Sequence, residues 1–278
     1  MRTVRTVAEV RAALAGGGSI GLVPTMGALH DGHLSLFRAA RAESDTVVAS
    51  LFVNPAQFED ETDLGAYPRD EARDADLAAG TGVDLLFAPS LEEMYPAGFQ
   101  TWIEVEKASA GLEGDARPGH FRAVATVCLK LFNIVRPARA YFGQKDAQQA
   151  SVIRRLVRDL ALPLEIRVLP TVRDDDGLAL SSRNVLLSAE ERARALALPR
   201  ALARGAEIHR LGGDAVGAAR AQLNGLTPDY VELLDLDGAL VLAAAVRVGS
   251  IRLIDNVLLD IPTQASAWFG PTSKGELR

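Results

Sequence analysis

Apolar residues along the chain fall into short runs separated by stretches at helical spacing. Ile20-Gly21-Leu22-Val23 is a compact apolar run of the kind that makes a buried strand, and Leu34 to Arg41 carries apolar residues at helical spacing. The same alternation continues downstream. Thr46–Val53 reads as a strand rich in β-branched residues, Pro68–Ala79 as a helix, and Val83–Phe87 as a third strand. Thr101–Val105 reads as a fourth, shorter strand, followed by a long apolar helix over Val124–Val135. Ala140-Tyr141-Phe142 ends another strand, Ala147–Leu160 is a helix, and Leu164–Leu169 is a strand that stops at Pro170. Strands alternating with helices predict an α/β fold, a Rossmann-like parallel sheet with helices on both faces.

The pattern changes after Pro170, which places a domain boundary there. Residues 1–171 form the Rossmann-like domain and residues 172–260 a smaller C-terminal α+β domain. Within the latter, Ser188-Ala189-Glu190-Glu191 is a capping signature for a long helix reaching about Arg210. A second helix spans Asp214–Leu223, and Asp229–Leu236 and Arg247–Leu253 read as strands. Residues 261–278 are rich in Pro, Gly, Ser and Thr and are expected to form a flexible tail.

Composition narrows the function classes. The chain has 278 residues, 48% hydrophobic and 24% charged, enough apolar material for a sizeable core. A formal net charge of −6 argues against a general nucleic-acid binder. The single cysteine, Cys128, excludes an intrachain disulfide and suits a reducing cytoplasm. It lies in an apolar run, as an inert buried thiol does. Ala239–Val246 is the longest apolar stretch and is too short to span a membrane. The N-terminus lacks the apolar core of a signal peptide. These features predict a soluble cytoplasmic protein with neither membrane nor nucleic acid as partner.

Candidate chemistry starts at Pro24-Thr25-Met26-Gly27-Ala28-Leu29-His30-Asp31-Gly32-His33, on the turn between the first apolar strand and its helix. Asp31 is the expected N-cap of that helix. Free N–H groups at a helix start suit phosphate, and two histidines three apart can donate to a phosphate that is gaining charge. Gly16-Gly17-Gly18 precedes the strand, so it is not a dinucleotide fingerprint, and no Walker A motif occurs. Asn54 and Gln57 follow the Thr46–Val53 strand, placed to bind a small polar substrate or to make an Asx turn before Pro55. The loop bearing Glu113, Arg117 and His120 could close over a substrate or could be a capped helix start.

Two further segments carry charge or hydroxyls. Gly143-Gln144-Lys145-Asp146 repeats the strand–turn–helix arrangement, with Gln149 about one turn into the helix. Lys145 is then a cation at a helix N-terminus, unfavourable unless an anion is near. Asp174-Asp175-Asp176 could hold Mg²⁺ but fits a solvated turn better. Ser181, Ser182 and Arg183 offer hydroxyls and a guanidinium suited to outer phosphates.

The pattern of Thr25, Gly27, His30, Gly32 and His33 resembles the HxGH nucleotidyl-transfer superfamily, which includes cytidylyltransferases, adenylyltransferases and class I aminoacyl-tRNA synthetases. Taken with Phe52–Phe58, Arg117–Phe121, Phe142–Asp146, Gln149, Gly177–Asn184 and Arg252–Asn256, the chain up to about Leu259 resembles the pantothenate synthetase (pantoate–β-alanine ligase) family. Ala147 departs from it, since that family often carries an aromatic residue there.

The resemblance implies an ATP-dependent condensation of pantoate with β-alanine through a pantoyl adenylate, with magnesium on the ATP phosphates and a homodimeric enzyme. It implies that His30 and His33 contact the transferring phosphate, and that Lys145, Ser182 and Arg183 hold the outer phosphates. Pro24, Thr25, Met26, Gly27, Gly32, Gly143, Asp146, Val172, Leu180 and Ser181 would complete the ATP site. Gln57 and Gln149 would hold pantoate, with Asn54 and Arg117 shaping the pocket or receiving β-alanine. Three alternatives stand beside this reading: another HxGH nucleotidyltransferase acting on a phosphorylated small molecule, a nucleotide sensor without catalysis, and a structural metal on the two histidines. The last lacks a third ligand by spacing.

Overall fold

The computed structural model describes residues 1–59, 61–236 and 238–260; the expected tail, 261–278, lies outside them. The chain divides into two compact units, Met1–Phe142 with Gln148–Arg167, and Gly143–Ala147 with the chain from Val168 onward.

A six-stranded sheet organises the N-terminal half: β1 (Arg2–Val4), β2 (Ile20–Thr25), β3 (Thr46–Leu51), β4 (Leu85–Phe87), β5 (Arg139–Gly143) and β6 (Glu165–Leu169), in the order β1-β4-β3-β2-β5-β6. The pairs β1–β4, β3–β4, β2–β3 and β2–β5 are parallel. The Rossmann-like reading is therefore observed. Central strands of such a sheet are buried on both faces, so β2 reads as an unbroken apolar run rather than an alternating one. Leu22, Val23, Val47, Val48 and Phe87 lie fully inside, each worth about 1.5–3 kcal/mol of burial.

Several expectations are corrected. Thr101–Val105 forms no strand. The Ile103 N–H is taken by the Thr126 hydroxyl at 3.0 Å, so a side chain replaces a ladder partner. The short strand β1 escapes the pattern because three residues are too few to show a period. The Pro68–Ala79 helix begins only at Glu71, capped by the Asp70 side chain on Arg73 N–H. The apolar helix starts at His120 rather than Val124.

The second unit contains β7 (Thr227–Leu236), β8 (Ala239–Val248) and β9 (Ile251–Asp260), antiparallel in the order β7-β8-β9. The apolar stretch Ala239–Val246 is the middle strand. Three strands occur where the pattern predicts two: the expected strand Arg247–Leu253 straddles the Gly249-Ser250 turn between β8 and β9, and β8, paired on both edges and buried along most of its length, carries no alternation. The helix expected to run from Ser188 to about Arg210 is two, Ala189–Ala195 and Ala197–Arg210, interrupted at Leu196. Gly205 faces Leu242 and Ala215 so closely that a Cβ would lie 2.8 Å from the Ala215 carbonyl oxygen. Its hydrogen allows Ala197–Arg210 and Ala215–Gln222 to pack over β8, around Leu198, Leu202, Leu242 and Val246. Among the described residues, no helix is long and apolar enough to cross a membrane.

Candidate active site

The histidine motif occupies the C-terminal end of β2, where ligands bind in open parallel sheets. Thr25 Oγ1 donates to the Ser50 carbonyl at 2.6 Å and ties the ends of β2 and β3 together. The chain then turns through two consecutive left-handed residues, Gly27 (φ 89°) and Ala28 (φ 51°). A Cβ at Gly27 would lie 2.8 Å from Asp74 Oδ2 and 2.9 Å from Leu51 Cδ1, so the position needs glycine on two grounds. Buried Asp74, from the helix Glu71–Gly80, accepts the N–H groups of Ala28 and Leu29, each at 2.8 Å. Arg73 donates to the Leu29 carbonyl at 3.1 Å.

The turn delivers a helix start built from the two histidines. The N-cap of Asp31–Glu43 is His30, not Asp31, which occupies the first helical position. His30 Nδ1 accepts from Gly32 N–H at 3.2 Å, and His33 Nδ1 accepts from His30 N–H at 3.4 Å. This is a capping box made by imidazoles instead of Ser and Glu. The ring centroids lie 4.2 Å apart at 48°. A neutral imidazole that accepts through Nδ1 carries its proton on Nε2, so both rings are set as Nε2–H donors. The dipole of the helix they cap also favours an anion there.

A second group surrounds Gln57. Pro55–Gln57 forms one turn of 3₁₀ helix after β3, and Asn54 Nδ2 donates to Gln57 Oε1 at 3.1 Å, with both side chains buried. With its oxygen engaged, the Gln57 amide has its NH₂ left to donate. Asn54 Oδ1 is buried without a hydrogen-bond partner among the described residues. The Gln57 backbone carbonyl receives Arg117 Nη2 and His120 Nδ1, each at 3.0 Å. Arg117 Nε reaches Glu59 at 3.2 Å. Arg117 and His120, on either side of the turn between two helices, thus brace Gln57 through its backbone. Glu113 is buried at the start of a short helix, and its N–H donates to Gln148 Oε1 at 3.1 Å. Gln149 lies half-buried on Ala147–Asp159.

The remaining candidates belong to the second unit. Lys145 sits in the 3₁₀ turn Gln144–Asp146, its ammonium 3.6 Å from the Asp146 carboxylate. Val172 and Leu180 face each other across a hairpin, the Leu180 N–H donating to the Val172 carbonyl at 3.0 Å. Gly177, with φ 91°, makes its tip. Asp174 and Asp176 meet Arg192 at 2.6 and 2.8 Å, so two of the three aspartates pair with a cation. Ser181 Oγ accepts from Arg183 N–H at 3.3 Å and shapes the segment that presents Ser182 and Arg183.

Sequence reasoning misses three polar residues here. Asp74 lies in a helix with no motif of its own, and nothing local signals that its carboxylate is buried. Asp255 and Asn256 lie in a stretch marked by family likeness alone; both are buried. His120, placed by the sequence in a loop, opens a helix.

A parallel α/β sheet whose histidines cap a helix at the end of β2 defines the class: an enzyme of the HxGH type. The family model for pantoate-beta-alanine ligase matches residues 1–258, and the chain belongs to that family of ligases. It is 53% identical to the pantothenate synthetase of Moorella thermoacetica over 281 residues, covering 94% of this chain and 99% of that protein. The crystal structure of pantothenate synthetase from Thermus thermophilus superimposes with a TM-score of 0.90 at 49% identity, covering 93% of this chain and 99% of the other. The pantoate-beta-alanine ligase of Francisella tularensis, complexed with beta-gamma ATP and beta-alanine, gives 0.82 at 35% identity, over 93% and 98%.

Proposed function

We propose that this ligase joins pantoate to β-alanine in two steps through a pantoyl adenylate. In the first, a pantoate carboxylate oxygen attacks the α-phosphorus of ATP and the bond to the β-phosphate oxygen breaks, releasing pyrophosphate. In the second, the neutral amine of β-alanine attacks the acyl carbon and expels AMP, and the nitrogen loses a proton. ATP enters as its magnesium complex, the metal travelling with the phosphates as part of the substrate.

The observation that carries this reading is the imidazole capping box, which makes two Nε2–H donors at a helix N-terminus. A carboxylate is already nucleophilic at neutral pH, so the first step needs no serine or cysteine. It needs two anions held together and the developing charge neutralised. His30 and His33 supply the second requirement at the α-phosphate. Lys145, Ser182 and Arg183 take the outer phosphates, with Pro24, Thr25, Met26, Gly27, Gly32, Gly143, Asp146, Val172, Leu180 and Ser181 lining the nucleotide. Gln57 and Gln149 orient pantoate, and neutral amides fit an unphosphorylated hydroxy acid. Asn54 shapes the pocket by holding the Gln57 amide, while Arg117 acts through Gln57 and Glu59. The ATP and β-alanine ligands of the Francisella relative support the choice of co-substrates.

Pantoate labelled with ¹⁸O in its carboxylate tests the scheme. The adenylate route puts one ¹⁸O into AMP, and pantoate alone releases pyrophosphate to about one equivalent of enzyme. Pyrophosphate release with a phosphorylated alcohol but not with pantoate supports nucleotidyl transfer instead. The reading also includes a homodimer in the cytoplasm, and light scattering on the purified chain measures the former.

A further inference from the structure

We propose that the adjacent residues Asp255 and Asn256 are a two-sided anchor that positions both phosphate-binding segments of the second unit, the Lys145 turn and the hairpin leading to Ser181–Arg183. The inference rests on the reading of Lys145, Ser182 and Arg183 as ligands of the ATP phosphates.

Neighbours on a strand point to opposite faces, so one short stretch of β9 can hold two different segments. Asn256 holds the first. Its Nδ2 donates to the carbonyls of Gln144 and Lys145, both at 2.9 Å, and its Oδ1 accepts from Gln144 Nε2 at 3.1 Å. Both amide protons and one acceptor site are thereby used, inside the protein. The carbonyls it grips belong to the peptide units from which the Lys145 side chain departs. Lys145 is 111 residues away in sequence, and this amide fastens its turn to β9.

Asp255 holds the second. Its carboxylate makes a bidentate pair with Arg173, at 2.6 and 3.0 Å, and Arg173 also donates to the Gly177 carbonyl at 3.1 Å. Arg173 bridges Ala179 across the hairpin, one residue before Leu180. A bidentate pair fixes orientation as well as distance. The anchors are joined, since Asp255 Oδ1 accepts the N–H of Asn256 at 2.8 Å. A buried pair such as Asp255–Arg173 is weak evidence of net stabilisation, and its value here is geometric. Catalytic groups misplaced by 1 Å can lose about 10²-fold in rate. Asp255 and Asn256 are thus positioning residues.

The test uses the full chain with Asn256→Ala, Asp255→Asn and, as a packing control on the same strand, Leu253→Ala. Asn256→Ala is expected to raise KM for ATP about tenfold or more and leave KM for pantoate within about twofold. Combined with Lys145→Ala it should add little, because both act on the same contact. Asp255→Asn should raise KM for ATP in the same selective way. Leu253→Ala should lower Tm without selectivity between substrates. The anchor is overturned if Asn256→Ala behaves like Leu253→Ala, or if its effect multiplies that of Lys145→Ala. Calorimetric titration with a non-hydrolysable ATP analogue separates the two readings. If wild type binds it and Asn256→Ala binds about tenfold more weakly, the anchor stands even where pantoate elicits no pyrophosphate and the proposed reaction fails. Equal binding by both proteins removes the anchor.

Discussion

Asp74 accepts the Leu29 N–H at 2.8 Å, and this bond sets the entry to the histidine-capped helix. The same carboxylate takes Ala28 N–H, so two consecutive peptide groups of a left-handed turn depend on one side chain from another helix. Asp74→Ala removes the acceptor of both bonds and leaves the buried Leu29 N–H unsatisfied, at about 1–3 kcal/mol for that donor alone. Urea unfolding should show a loss of about 3 kcal/mol, and the surviving folded enzyme should bind ATP more weakly. An unchanged midpoint with normal ATP binding would mean the turn holds its shape by itself.

His30 has two separable duties, capping and donation. Asparagine is a good N-cap but lacks the imidazole donor. His30→Ala should lose about 1 kcal/mol of stability and about 10²–10³ in kcat. His30→Asn should recover the stability and not the rate. Thermal unfolding with single-turnover pyrophosphate release measures both, and recovery of rate by asparagine would remove the donor role.

Arg117 and His120 converge on the Gln57 carbonyl, each at 3.0 Å. His120→Ala should raise KM for pantoate about tenfold, in line with a lost hydrogen bond of about 1–1.5 kcal/mol. His120→Asn places an amide donor near the Nδ1 position and should restore most of it. Arg117→Ala should be the more damaging, because its contact carries charge. Steady-state kinetics with each substrate varied separately decides; an equal rise for all substrates argues for general loosening.

The hairpin beside Ser181 carries an acid-sensitive group. The Leu178 N–H, reinforced by the Arg192 guanidinium, holds the Asp176 carboxyl below the usual carboxylate range. A carboxyl with a lower pKa folded than unfolded stabilises at neutral pH, and that contribution disappears as pH falls through the folded value. Asp176→Asn should therefore flatten the acid side of the Tm–pH curve while lowering Tm at neutral pH. Scans from about pH 7 to about pH 3 on both proteins check the sign.

The alternation of apolar runs and helical spacing is enough to specify the parallel sheet, the main helices and the places where strand ends meet helix starts. Those features are local, since period and turn chemistry act within a few residues, and His30, His33 and Lys145 all fall at such ends, whereas Ser181–Arg183 follows the Arg173–Ala179 hairpin. The antiparallel trio is half legible, because β8 is buried on both faces and loses the period that marks a half-exposed strand. Thr101–Val105 misleads for the converse reason: β-like composition makes a strand only where a neighbour offers its backbone, and Thr126 offers a hydroxyl instead. The supports of the site arise from tertiary packing alone. Asp74 reaches Leu29 across 45 residues, His120 reaches Gln57 across 63, and Asn256 reaches Lys145 across 111. Such bonds follow from how helices and strands pack, and a side chain's own neighbours in sequence carry no trace of the distant carbonyl or N–H that it will meet.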